Sequence, residues 1–333
     1  MPTIRTTPGR RTAALALALA ALAAALPAAA QVPAGDGRTL RIVVPFAAGG
    51  AQDVIGRYLA SMLQARLGTP VVVDNRAGAG GVIAADVVAK AAPDGHTVLL
   101  ATGGAISIAP HLQARLPYDP LKDFAPIALV ADTPMTLAVR AQSPYATVAD
   151  LVRDARARPG QVSYASTGQG TVSHLTGELF AQSAGIRLLH VPYKGAGPAI
   201  TDLLGGQVAA IVTSTASIEP MANDRKARVL ASFTTGRLAA LNHPPTMTEA
   251  AGIRGLEVPV WVGLLAPAKT PPSQLDRLAG EIQAVCQLPE TQERFKALGA
   301  LATCGGPAQL QKVVQDDHQR WERVIRQGGI KAE

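Results

Sequence analysis

Aromatic residues make up only 4% of the 333-residue chain, and cysteine occurs just twice, at Cys286 and Cys304. Two cysteines are too few for a disulfide-built scaffold, and they lack the spacing of a metal site. They leave two readings open, one bridge formed in an oxidising compartment or two buried thiols. No cluster of Lys and Arg interleaves with aromatics, so nucleic-acid binding is unsupported. Enzyme motifs are missing too. "RAGAGG" has Gly78 and Gly80, but Ile83 stands where a dinucleotide fingerprint needs Gly or Ala. Lys194-Gly195 lacks the upstream glycines of a P-loop, and Ser166 is not in a G-x-S-x-G elbow. No His pair has zincin spacing. His174 lies near Ser166 in sequence and could mimic a Ser-His pair, but such a His more often packs locally. The expectation is a non-enzyme with no metal and no cofactor.

What is present begins with an export signature. Arg5, Arg10 and Arg11 precede an Ala/Leu run over Ala13–Leu26, Pro27 breaks it, and Ala28-Ala29-Ala30 offers a cleavage site. These are the three parts of a secretory signal peptide over residues 1–30, and the run is short for a membrane span. Arg10-Arg11 hints at twin-arginine export. No Cys follows the run, which argues against a lipid anchor. Cleavage would remove three Arg and no acid, lowering the formal charge from +7 to about +4. A mild positive excess fits capture of anions. The remaining length suffices for two modest domains.

Strand-like runs then alternate with amphipathic helices. Leu40–Val44 reads as a strand, and Val54, Ile55, Tyr58, Leu59, Met62 and Leu63 recur at helical spacing up to Gly68. Val71–Val73, Val82–Ala92 and Val98–Leu100 continue the succession, which predicts a parallel sheet covered by helices. From Ser143-Pro144 the same plan starts again, with no low-complexity joiner between the halves. Two lobes sharing a hinge follow.

Three strand-to-helix junctions in each half are built of small residues. They are Phe46–Gly50, Arg76–Gly81 and Thr102–Ala105 in the first, and Ser166–Thr171, Tyr193–Gly197 and Thr213–Ser217 in the second. In an open parallel sheet such junctions share the carboxyl edge, where ligands bind. Each following helix offers unpaired N–H groups and a positive dipole end, and glycine lets an anion approach. The bare backbone is thus expected to be the binding surface. Gly78, Thr102, Lys194 and Thr213 become candidate ligand contacts. Asp53 reads mainly as a cap, with direct ligand contact as the rarer alternative.

"VPFAAGGAQDVIGRYLA", "VVVDNRAGAGGVIAADVVAKAAPDGHTVLL", "LPYDPLKDFAPIALVA", "SYASTGQGTVSHLTGELF", "HVPYKGAGPAITDLLGGQVAA" and "WVGLLAPAKTP" together resemble the Bug family, the solute receptors of tripartite tricarboxylate transporters. The resemblance runs in order from about Leu40 to the C-terminus. It implies a monomeric periplasmic binding protein of the α/β, type II-like fold, with two crossovers and a carboxylate held between the lobes; residues 31–140 plus 260–333 would form the first lobe and residues 141–259 the second. Backbone N–H groups, hydroxyls and ordered waters would hold that ligand. Matching positions are Phe46, Ala48, Gly49, Gly50, Gln52 and Asp53 in one lobe. In the other they are Ser166, Thr167, Gly168, Gly170, Thr171 and His174. The implied partners are a small organic acid and the permease subunits of a transporter or, alternatively, a sensor kinase. "ATGGAISIAP" and "VTSTASIEP" depart from the family's usual text, which leaves the identity of the acid open.

Overall fold

The computed structural model describes residues 37–328 and 330. The signal segment expected at residues 1–30 lies outside them.

Strand β1 (Leu40–Val44) runs parallel to β2 (Val71–Asn75) on one side and β3 (Thr97–Ala101) on the other. Ile42, Val43 and Val44 are fully buried, so this central strand reads as a continuous apolar run. Helix α1 (Ala51–Leu67) buries Ile55, Leu59, Leu63 and Leu67, spaced four apart along one face. Gly68, at φ 65°, ends it in the left-handed conformation that glycine adopts most easily. Helix α2 (Val82–Ala89) links β2 to β3, and a π-helical turn at Gly104–Ile108 with the short α3 (Ala109–Leu112) follows β3. Strands β4 (Phe124–Asp132), β10 (Trp261–Pro267) and β11 (Leu301–Gly305) complete a six-stranded sheet of order β11-β4-β10-β3-β1-β2.

The second sheet has the order β7-β6-β8-β5-β9. Its strands are β5 (Met135–Arg140), β6 (Ser163–Ser166), β7 (Leu189–Pro192), β8 (Ala210–Ser214) and β9 (Ala227–Ser232). Helices α4 (Val148–Ala157), α5 (Val172–Ala184), α6 (Ala196–Leu204), α7 (Thr215–Asn223) and α8 (Met247–Ala251) belong to this half. Capping boxes start α4 (Thr147 with Asp150) and α8 (Thr246 with Glu249). The chain returns to the first half for α9 (Pro272–Cys286), α10 (Pro289–Ala297) and α11 (Pro307–Gly328). Cys286 and Cys304 are joined by a disulfide that ties the end of α9 to β11.

Two features differ from the sequence reading. Both sheets are mixed rather than parallel: β10 is antiparallel to β3 and β4, and β5 to β8 and β9. The strand Met135–Arg140, assigned above to the first lobe, hydrogen-bonds in the second sheet. The chain therefore crosses over at Thr133–Pro134 and returns before Val260. The two crossovers lie side by side: the Thr133 amide donates to the Val260 carbonyl at 2.8 Å, and the Val260 amide to Asp132 Oδ1 at 2.9 Å. Helix α11 adds a third connection, because Leu310 and Val314 pack in a first-sheet cluster while Trp321 and Ile325 pack in the core of the second half.

Candidate functional site

The turn after β1 is organised by a side chain. Asp53 is buried at 3% exposure, and its Oδ2 accepts the Gly49 amide and Arg57 Nε, each at 3.0 Å. Asn75, at the end of β2, donates to Asp53 Oδ1 at 2.9 Å and to the Phe46 carbonyl at 3.0 Å. Burial raises the Asp53 carboxyl, but hydrogen bonds from Arg57, Gly49 and Asn75 outweigh it, so its pKa falls below the ordinary value. Asp53 thus shapes the turn and holds a negative charge at the start of α1. Gly50 caps α1 without a side chain. Among the described residues, the amides of Gln52 and Asp53 have no acceptor within the chain. They are the donors that a helix start leaves for an anion.

In the second half the loop Ser166–Thr171 closes on itself. Ser166 Oγ lies 2.6 Å from His190 Nε2 and accepts the Gly168 amide at 3.1 Å. Thr171 caps α5, its hydroxyl donating to the Gly168 carbonyl at 2.7 Å. The Thr167 amide donates to Ser173 Oγ, and the Gly170 amide to His174 Nδ1. The His174 and His190 rings stack at 4.1 Å. Burial pushes His174 down to about 4, and burial together with the neighbouring His174 takes His190 to about 3. Both imidazoles are neutral at pH 7, which frees His174 Nδ1 to accept the Gly170 proton. Ser166 meets His190 rather than His174, and at 0% exposure it has no access to a substrate.

These bonds narrow the sequence expectation. The amides of Gly49, Thr167, Gly168, Gly170 and Thr171 already serve the protein's own acceptors. Bare backbone is needed for another reason: the turns of the two halves touch. The Ala47 amide donates to the Lys194 carbonyl at 3.0 Å, and the Ala51 amide to Ser217 Oγ at 3.2 Å. A Cβ on Gly80 would fall 2.8 Å from the Gln169 carbonyl oxygen, and one on Gly195 3.2 Å from the Ala47 nitrogen. A Cβ on Gly197 would lie 3.3 Å from the Ala48 carbonyl oxygen. Glycine here permits backbone to meet backbone.

The other expected residues take varied places. Gly78, at φ 135°, turns the second junction and accepts the Gly81 amide through its carbonyl. Phe46, Gln52 and Thr102 are buried at the junctions. Lys194 enters through its carbonyl while its side chain is exposed. Thr213 is fully buried, and its Oγ1 has no hydrogen-bond partner among the described residues. The sequence reading did not single out Asn75, His190 or Ser217. Ser217 lies in the quoted TSTAS junction, and Asn75 directly after a β-branched run; nothing local marks His190.

Against this geometry, the sequence profile of the tripartite tricarboxylate transporter family receptor matches residues 55–330. The chain belongs to this receptor family. It is 38% identical over 317 residues to the UPF0065 protein in the tcbD-tcbE intergenic region of Pseudomonas sp. strain P51, covering 95% of this chain and 94% of that one. It is 37% identical to BugT of Bordetella pertussis, with 88% and 90% covered. Among solved structures, the periplasmic binding protein BugD superposes with a TM-score of 0.85 at 37% identity, covering 89% of this chain and 99% of that one. Rhodopseudomonas palustris Rpa4515, solved with adipate, gives 0.85 at 34% identity, with 89% and 99% covered. MatC from the same organism, solved with malate, gives 0.82 at 32%, with 86% and 99% covered. The receptor family has the two-lobed periplasmic-binding-protein fold, and its members are solute-binding proteins rather than enzymes.

Proposed function

We propose that this receptor captures a small organic carboxylate between its two lobes in the periplasm and presents it to the permease subunits of a tripartite transporter. The observation that carries the reading is the start of α1. There the Gln52 and Asp53 amides lack an acceptor and the turn faces the Lys194–Gly197 backbone of the other lobe. A helix start with free N–H groups favours an anion. Adipate and malate on related receptors point to the same class of ligand. Closure is a hinge motion, and the bound state gains contacts from both halves. The hinge divides residues 37–133 with 260–328 from residues 134–259. Residues 1–30 direct export, and the mature chain starts at Gln31.

A thermal-shift screen of C4–C6 dicarboxylates, followed by calorimetry, tests this reading. A ligand that binds the folded state raises Tm, by about 2.7 kcal/mol of added stability at a hundred-fold excess over Kd. A screen in which no carboxylate raises Tm would refute it.

A further inference from the structure

A cavity of about 340 Å³ lies outside the glycine junctions, where β4, β10, β11 and α11 meet beside the crossovers. Leu129, Val313 and the indole of Trp261 give it apolar walls. Set into those walls are the carboxylates of Asp132, Asp316 and Asp317 and the guanidinium of Arg320; Asp316 is paired with Lys312 at 2.6 Å, which leaves Asp132 and Asp317 as the inner pair. Asp317 is 7% exposed and accepts Trp261 Nε1 at 2.8 Å; Asp132 Oδ1 accepts the Val260 amide at 2.9 Å. Arg320 donates to the Glu257 carbonyl and lies over the Trp321 ring, and of the inner pair its charge offsets only Asp317, leaving Asp132 without a cationic partner among the described residues.

The charges do not balance. Burial holds both carboxyls above their ordinary range, and only hydrogen bonds from the Val260 and Thr133 amides oppose this at Asp132. Thr303 Oγ1 is buried in the same lining with no hydrogen-bond partner among the described residues. An anion would meet three carboxylates there. A neutral apolar molecule would desolvate them further without returning a hydrogen bond. An organic ammonium supplies three donors and a positive charge, and its apolar body suits the aliphatic wall and the face of Trp261. No group of three or more metal-ligating side chains occurs among the described residues, so a bare metal ion is poorly served.

We propose that this cavity is a second binding site, for a small organic monoamine whose ammonium is held by Asp132 and Asp317 and whose apolar body lies against Trp261. The site is independent of the carboxylate cleft. Isothermal calorimetry of the mature protein with benzylamine tests it, with benzyl alcohol as the neutral match and Trp fluorescence as a second readout. Benzylamine should bind and benzyl alcohol should not. Asp132→Asn and Asp317→Asn each keep an oxygen for the Val260 amide or the Trp261 indole while removing the charge. Each should weaken benzylamine by about ten-fold or more, and whichever variant keeps the wild-type melting temperature is decisive. Three results would overturn the proposal: no benzylamine binding, equal binding of the alcohol, or unchanged affinity in the folded Asn variants. Displacement of benzylamine by a saturating dicarboxylate would overturn it as well, since that would place the amine in the cleft.

Discussion

Gly80→Ala separates the cost of a backbone conformation from the cost of closing the lobes. Gly80 sits at φ 63°, where an L-residue is strained by about 1–2 kcal/mol. Its new Cβ would also stand 2.8 Å from the Gln169 carbonyl oxygen and 3.2 Å from the Gly170 backbone, both across the lobe interface. Backbone atoms cannot rotate away, so the lobes must part or shift, at about 1–3 kcal/mol. Only the closed state meets that second term. Gly68 is the matched control: its φ is 65°, and a Cβ there meets nothing within 4 Å. Gly68→Ala and Gly80→Ala should therefore lose similar stability in the unliganded protein. Gly80→Ala alone should bind the carboxylate more weakly, by about five- to 150-fold for those 1–3 kcal/mol. Calorimetry with the acid giving the largest thermal shift reads the affinity, and urea unfolding reads the stability. If the two variants bind equally well, the contact between the glycine turns is not part of the bound state and the reasoning fails.

Other expectations follow from the same contacts. Ser217→Ala removes the acceptor of the Ala51 amide and should weaken carboxylate binding by about 0.5–1.5 kcal/mol, with unfolding nearly unchanged. Asp53→Ala strips an acceptor from Gly49, Asn75 and Arg57 at once and should lower both stability and affinity by about 1–3 kcal/mol, measured by urea melts and calorimetry. His174 has a folded pKa of about 4, below the unfolded 6.5, so the unfolded chain binds more protons between those values. Stability should fall as pH drops from 6.5 toward 4, by on the order of 3 kcal/mol from this group. His174→Gln should flatten that slope in urea melts, and an unchanged slope would count against the assignment. Replacing both Cys286 and Cys304 by Ser opens a short loop and should cost about 3 kcal/mol of stability, leaving carboxylate affinity intact in calorimetry.

Much of this architecture was legible in the sequence because hydrophobic periodicity reports burial directly. The run at Leu40–Val44 and the four-residue spacing from Ile55 to Leu67 left little choice about β1 and α1. Strand direction was not legible. A buried antiparallel strand such as β10 carries the same apolar text as a parallel one, and only its partners reveal it. Strand β11 was missed because it is a partly exposed edge with weak patterning. At the site, the glycine junctions were visible but their purpose was only half so. The sequence marks where side chains are absent, but not that Gln169 would lie opposite Gly80, or that Ser166 would find His190 on the neighbouring strand.

Helix α11 has a consequence for anyone who would treat residues 134–259 as a removable cassette. The two crossovers invite that surgery, since the segment leaves and rejoins its host at adjacent points. Yet Trp321 and Ile325, supplied from far downstream, are buried in that segment's core cluster. Excised alone, it would carry a vacancy the size of an indole, a loss on the scale of about 3–5 kcal/mol. A self-standing version would need the last turns of α11 grafted back on, and the tail of the chain is better regarded as the keystone of its middle.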